Sequence, residues 1–213
     1  MKNLVIVGAG GFGRELSGVA PGCVGYGTDF VLKGFLDARP DALAGFTGYP
    51  PVIGDPATYA PAADDVFITA FGNVTTRRHI VDSLAARGAR FLTLVHRSAS
   101  IDAHAVLDEG VFVAQNAVIL AEVRIGRHTC VFQNTVIGHD TRVGAFAHVY
   151  SQCAIGGGVT VGDGAVVYPG ARIVPRRTLG AGAVVGIGAV VLTPVRAGET
   201  VFGNPARPME AFQ

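Results

Sequence analysis

Two short stretches of this 213-residue chain combine residue types and spacings that suit chemistry. The first is Gly8-Ala9-Gly10-Gly11-Phe12-Gly13, which follows the aliphatic run Leu4 to Val7 and precedes Arg14 to Ala20. A glycine turn between a strand and a helix lets backbone approach a phosphate, and the helix N-terminus favours the negative charge. Asp37 ends a second apolar segment, Val31 to Leu36, about where an acid meets a ribose hydroxyl in nucleotide folds. The second stretch is His139-Asp140, with His148 nine residues on. An imidazole titrates near neutrality and can accept a proton at working pH. A carboxylate beside it can orient the ring and stabilise the imidazolium.

These histidines lie inside a repeat. From Val95 to Val191 every sixth residue is Val, Ile or Leu, seventeen in succession. A helix needs a period near 3.6 and a flat strand a period of 2. A period of six fits a short strand followed by a sharp corner, with one aliphatic per side pointing inward. Four residues after each aliphatic stands a small or β-branched residue, with Arg177 as the exception. Glycine often follows the aliphatic directly, as at Gly126, Gly138 and Gly144, and is read here as the residue that accepts positive φ at the corner. One side cannot bury its face alone, so stacked coils supply the core. Hexapeptide repeats of this kind resemble the left-handed parallel β-helix, with three hexads per triangular coil, so seventeen hexads make between five and six coils.

The N-terminal segment is α/β. Strands are expected at Leu4–Val7, Val31–Leu36, Asp65–Ala70 and Arg90–Val95, with a short one at Val52-Ile53. A helix is expected over Thr75–Arg87, with Ile80 and Leu84 on one face. This is half a Rossmann fold, too short for the two halves of a dinucleotide site. The expected division is 1–94 for the half-Rossmann nucleotide-binding domain, 95–199 for the β-helix and 200–213 for a C-terminal cap.

Net charge is +1 and no basic stripe appears, which argues against nucleic acid as a partner. No apolar run approaches the ~18 residues of a membrane span. Three distant cysteines, Cys23, Cys130 and Cys153, read as reduced thiols in a cytoplasm. His96, His104 and His128 read as solvated corner histidines.

The order of glycine turn, hexapeptide prism and a closing Phe202-Gly203-Asn204-Pro205-Ala206-Arg207 resembles the bacterial hexapeptide-repeat sugar acetyltransferases. That family includes sialic-acid O-acetyltransferases and nucleotide-amino-sugar N-acetyltransferases of surface-glycan synthesis, such as lipopolysaccharide or capsule. The resemblance implies a homotrimer with acetyl-CoA in the groove between neighbouring prisms, and no metal. It implies His139 as general base with Asp140 beside it. It places acetyl-CoA contacts on His148, Pro169 and Ile187. It places sugar-nucleotide contacts on Gly10, Gly11, Phe12, Asp37, Gly72 and Asn73. Many members carry histidine where this chain has Phe12, and asparagine where it has Phe132. Both differences remove polar groups at the acceptor site and leave N- and O-acetylation, and a nucleotide-linked or free sugar acceptor, open.

Three other readings remain. A trimeric carbonic anhydrase on a similar prism needs two closely spaced zinc histidines on one chain, and His139 and His148 lack that spacing. A nicotinamide enzyme needs the second half-fold. A non-catalytic nucleotide-binding trimeric module would bind nucleotide without transferring acetyl.

Overall fold

The computed structural model describes residues 1–209. The last four residues of the expected cap, 210–213, lie outside the described residues. Backbone contacts divide the chain into one unit spanning Met1–His96 and a second beginning at Arg97.

In the first unit, strands β1 (Lys2–Val7), β2 (Phe30–Leu36), β3 (Val52–Gly54) and β4 (Asp65–Thr69) form a parallel sheet in the order β3-β2-β1-β4. Leu4 to Val7 and Val66 to Ile68 are almost wholly buried, as continuous apolar runs in a parallel sheet should be. Helix α1 (Gly11–Val19) follows β1, and helix α2 (Val74–Ala85) follows β4. The buried face of α2 is Arg77, Val81 and Leu84, so Ile80 stands at its margin. The expected strand over Arg90–Val95 is reduced to Leu94–Val95 plus a single bridge from Phe91 to Phe67.

A buried polar group braces this sheet. Asp65 on β4 accepts from Lys33 Nζ at 2.7 Å, from the Tyr59 hydroxyl at 2.8 Å and from the Ala62 amide at 3.0 Å. Burial raises the Asp65 pKa, but those three donors outweigh it and hold the carboxyl below its ordinary value. A carboxyl depressed on folding adds stability above its unfolded pKa and loses it as pH falls through the folded one. Urea midpoints should therefore stay flat from neutral pH down to the ordinary carboxylate range and then fall. Asp65→Asn should lower the midpoint at neutral pH and shrink that acid-side fall; an unchanged pH dependence would show that the carboxylate contributes nothing.

The second unit is a stack of two-residue strands in three parallel columns. Each strand pairs with the one 18 residues on, as in Arg124↔Arg142 and Ile125↔Val143, or Val136↔Ala154 and Ile137↔Ile155. The sixth-position aliphatics from Val113 to Val191 point inward and are nearly inaccessible. The residues four further on are buried too, Arg177 excepted, and Thr129, Thr135 and Thr141 each donate a hydroxyl to a carbonyl 15 residues ahead, at 2.7, 2.7 and 3.0 Å. Thr200–Phe202 joins one column beside Val184–Val185 and pairs antiparallel with Arg207–Pro208.

The corners differ from the sequence expectation. The left-handed residue is the third after each aliphatic, not the one directly following. It is Asn116, Glu122, His128, Asn134, Asp140, Phe146, Gln152 and Arg176, with glycine at positions such as 158, 164 and 170. The glycine directly after the aliphatic serves close approach instead. A Cβ on Gly138 would lie 2.5 Å from the Gly157 amide nitrogen of the next coil. His128 is also corrected: it is buried, its ring 4.9 Å from that of Phe146 and filling space left open by Gly110.

Candidate active site

The three loops at the carboxyl ends of β1, β2 and β4 lie side by side, because those strands are neighbours in the sheet. Gly8 begins the first loop at φ +106°, a conformation that favours glycine. A Cβ there would also press on the Phe71 ring at 3.2 Å, which places the β1 and β4 loops in contact. Gly13 lets α1 pass against the turn, since a Cβ would overlap the Gly8 carbonyl at 1.8 Å. Gly10 and Gly11 face open space, with nothing within 4 Å of a Cβ. Phe12 is half-buried beside them, and Gly72 and Asn73 are exposed on the third loop. The Asn73 side chain caps α2 by accepting from the Thr76 amide at 2.9 Å.

Asp37 sits where it was expected, beside the glycine turn, but its oxygens are already engaged. Oδ2 accepts from the Ala9 amide at 3.0 Å and from Arg39 Nη2 at 3.3 Å. Oδ1 accepts from the Arg39 amide at 3.0 Å and Arg39 Nε at 3.1 Å. Those four donors match the lone-pair capacity of a carboxylate. Burial raises the Asp37 pKa, yet the Arg39 guanidinium and the two amides keep it below the ordinary value. A ribose hydroxyl reaches this carboxylate only by displacing Arg39. Arg39 was absent from the sequence-based set; its place two residues after the acid was the available signal.

In the prism, His139 and Asp140 occupy the corner between Val136–Ile137 and Arg142–Val143. Asp140 adopts φ 59°, and its Oδ2 lies 2.7 Å from His139 Nδ1. Both side chains are about two-thirds exposed, at 67% and 64%. A carboxylate only accepts, so Nδ1 carries the hydrogen, and in the neutral ring Nε2 is the nitrogen with the lone pair. The pair is therefore arranged to take a proton at Nε2.

His148 is placed differently, at 1% exposure on the strand His148–Val149. Its ring stacks 6.0 Å from Phe132 and 5.5 Å from Tyr150. Phe132, Tyr150 and Tyr168 recur at 18-residue intervals and stack at 4.9 and 5.4 Å between centroids. The next place in that series is Gly186, where the Phe202 ring occupies the space a Cβ would need. Pro169 follows Tyr168 and accepts from the Gly188 amide at 2.9 Å. Ile187 is exposed and shares an apolar surface with Tyr168, Val184, Phe202 and Met209. The fold thus sets Pro169 and Ile187 on one corner column and His148 on the strand column that leads into it, with His139 and Asp140 on another corner of the same chain. Tyr150, Tyr168 and Phe202 link the column and were missed; for Tyr150 and Tyr168 the 18-residue spacing from Phe132 was the signal.

Among the described residues no group of three or more His, Cys, Asp or Glu could hold a metal ion. Among the same residues no helix is long and apolar enough to cross a membrane.

Residues 3–84 match the family model described as the PglD N-terminal domain, and residues 91–185 match the GMPPB C-terminal domain. A histidine-to-asparagine variant of perosamine N-acetyltransferase from Caulobacter crescentus, solved with CoA and GDP-perosamine, superposes with TM-score 0.88 at 26% identity, covering 99% of this chain and 98% of that one. The acetyltransferase domain of PglB from Neisseria gonorrhoeae FA1090, in complex with acetyl coenzyme A, superposes with TM-score 0.86 at 29% identity over 98% and 99% of the two chains. In sequence and fold the chain is similar to the hexapeptide-repeat sugar acetyltransferases. A curated relative, UDP-N-acetylbacillosamine N-acetyltransferase of Bacillus subtilis (strain 168), is 31% identical over 117 residues. That match spans 53% of this chain and about half, 51%, of the relative.

Proposed function

We propose that this protein transfers acetyl from acetyl-CoA to an amino or hydroxyl group of a nucleotide-linked sugar, in bacterial surface-glycan synthesis in the cytoplasm. The observation that carries the reading is the exposed His139 whose Nδ1 is held by Asp140 at 2.7 Å. The acceptor N–H or O–H loses its proton to His139 Nε2 as its lone pair attacks the thioester carbonyl carbon. The tetrahedral intermediate then collapses, the C–S bond breaks, and the imidazolium returns the proton to the leaving thiolate. Asp140 keeps the ring in the competent tautomer and stabilises its charged form. No covalent enzyme intermediate is needed, so much of the rate comes from holding both substrates in line.

The acetyl donor is assigned to His148, Pro169 and Ile187, with the apolar strip at Tyr168 and Phe202 against its pantetheine chain. The sugar nucleotide is assigned to the open turn at Gly10, Gly11 and Phe12, with Asp37, Gly72 and Asn73. Pro169 and Ile187 stand on a different corner of the prism from the base, and His148 on a strand of another face. That separation supports a homotrimer in which neighbouring prisms supply the two walls of one groove. The amine is the favoured acceptor group, because two of the named relatives are N-acetyltransferases.

The test is a thiol-release assay with acetyl-CoA against a panel of nucleotide sugars with and without a free amine, products read by mass. One acetyl added to an amino sugar confirms N-transfer. Activity confined to sugars lacking the amine makes the protein an O-acetyltransferase. Nucleotide binding without acetyl-CoA binding would overturn the enzyme reading in favour of a non-catalytic module.

A further inference from the structure

The corner that carries His139 recurs every 18 residues up the prism, as Ala121-Glu122, His139-Asp140, Gly157-Gly158 and Pro175-Arg176. At the first position of each pair, three of the four coils hold a residue with a side chain. Only Gly157 has none. Its backbone does not demand glycine, because the left-handed residue of that corner is Gly158, at φ +68°. What a side chain there would meet is the His139 ring. A Cβ on Gly157 would lie 2.6 Å from His139 Nε2, 2.8 Å from Cε1 and 3.0 Å from Cδ2. The far side of the imidazole therefore lies across Gly157, while Asp140 grips Nδ1 from the other side. The Gly158 amide donates to the His139 carbonyl at 2.7 Å, which fixes the two coils at this level.

We propose that Gly157 is a positioning residue for the catalytic base, an inference that rests on the reading of His139 under Proposed function. The bare backbone gives the imidazole a flat seat and leaves the basic nitrogen uncrowded. A methyl group there forces the ring to turn and stands against the nitrogen that must receive the proton. Misplacement of a reacting group by about 1 Å can cost 10²-fold in rate. The loss falls on the chemical step and not on substrate binding, so it should appear in kcat and leave KM unchanged.

The experiment compares Gly157→Ala, His139→Ala and the double variant. Gly157→Ala should lower kcat about 10- to 100-fold, with KM for both substrates within about twofold. In the His139→Ala background the same change should cost nothing further, since the ring it displaces is gone. Full kcat in Gly157→Ala, or an equal loss in both backgrounds, overturns the proposal. If Gly157→Ala fails to fold, the clash predicts that the double variant folds; a double variant that also fails overturns it. An active His139→Ala would instead remove the base assignment itself. An inactive His139→Ala beside a fully active Gly157→Ala would remove only the role of Gly157.

Discussion

His139→Ala should fold and assemble as the unsubstituted protein does and lose about 10²- to 10⁴-fold in kcat, the range over which a positioned general base acts. The structural half follows from exposure. The His139 side chain is two-thirds solvent-accessible and contributes nothing to the aliphatic stack, so its removal leaves the core untouched. The functional half follows from the Asp140 contact, which holds Nδ1 and leaves Nε2 as the only ring nitrogen able to accept a proton. The measurement is steady-state thiol release with saturating acetyl-CoA, alongside circular dichroism and the thermal midpoint. A variant that keeps its turnover would take the base role from His139. A variant that loses turnover together with its thermal transition would place the residue in the fold and not in the chemistry.

Val143→Asp should yield no folded protein. Val143 is 3% exposed and stacks on Ile125 in the coil before and Val161 in the coil after. A carboxylate there has no cation and no donor within the apolar stack. Leaving a charge unpaired in a core belongs to the mutations that cost more than about 4 kcal/mol. That is comparable to the whole stability of a domain, about 5–15 kcal/mol. In a solenoid each coil is held only by its neighbours, so a break in the middle removes the support of both halves. The check is the soluble fraction on expression and the far-ultraviolet spectrum. Arg142→Asp is the control: it is the exposed outward residue of the same strand, and its carboxylate stays in water. A soluble, folded Val143→Asp protein would contradict the register of the prism.

The hexapeptide period made the inward set legible because each side of the prism offers one deep position per strand. A period of six that never slips keeps Ile119, Ile137, Ile155 and Ile173 in one column. The glycine turn was legible for the same kind of reason, since strand, turn and helix are local. The limits appear wherever two coils meet. The glycine after each aliphatic looked like the corner residue, yet it serves the backbone of the next coil, and the corner bends two residues later. His128 reads as a polar corner residue until Phe146, one coil on, closes over it. Asp37 was found by its distance from the turn, but Arg39 and Ala9 fill its lone pairs, a fact of side-chain direction that spacing does not carry.

By itself the sequence determined the two architectures, the register of the prism and the identity of the histidine–acid pair. All three are periodic or contiguous, so they depend on residues that are neighbours in the chain. Tertiary structure alone decided that Gly157 seats His139, that Phe132, Tyr150 and Tyr168 stack into one strip beside His148, and that the carboxylate of Asp37 is already occupied. Those depend on which residue of the next coil or loop reaches the same point in space, and on the side-chain volumes that meet there.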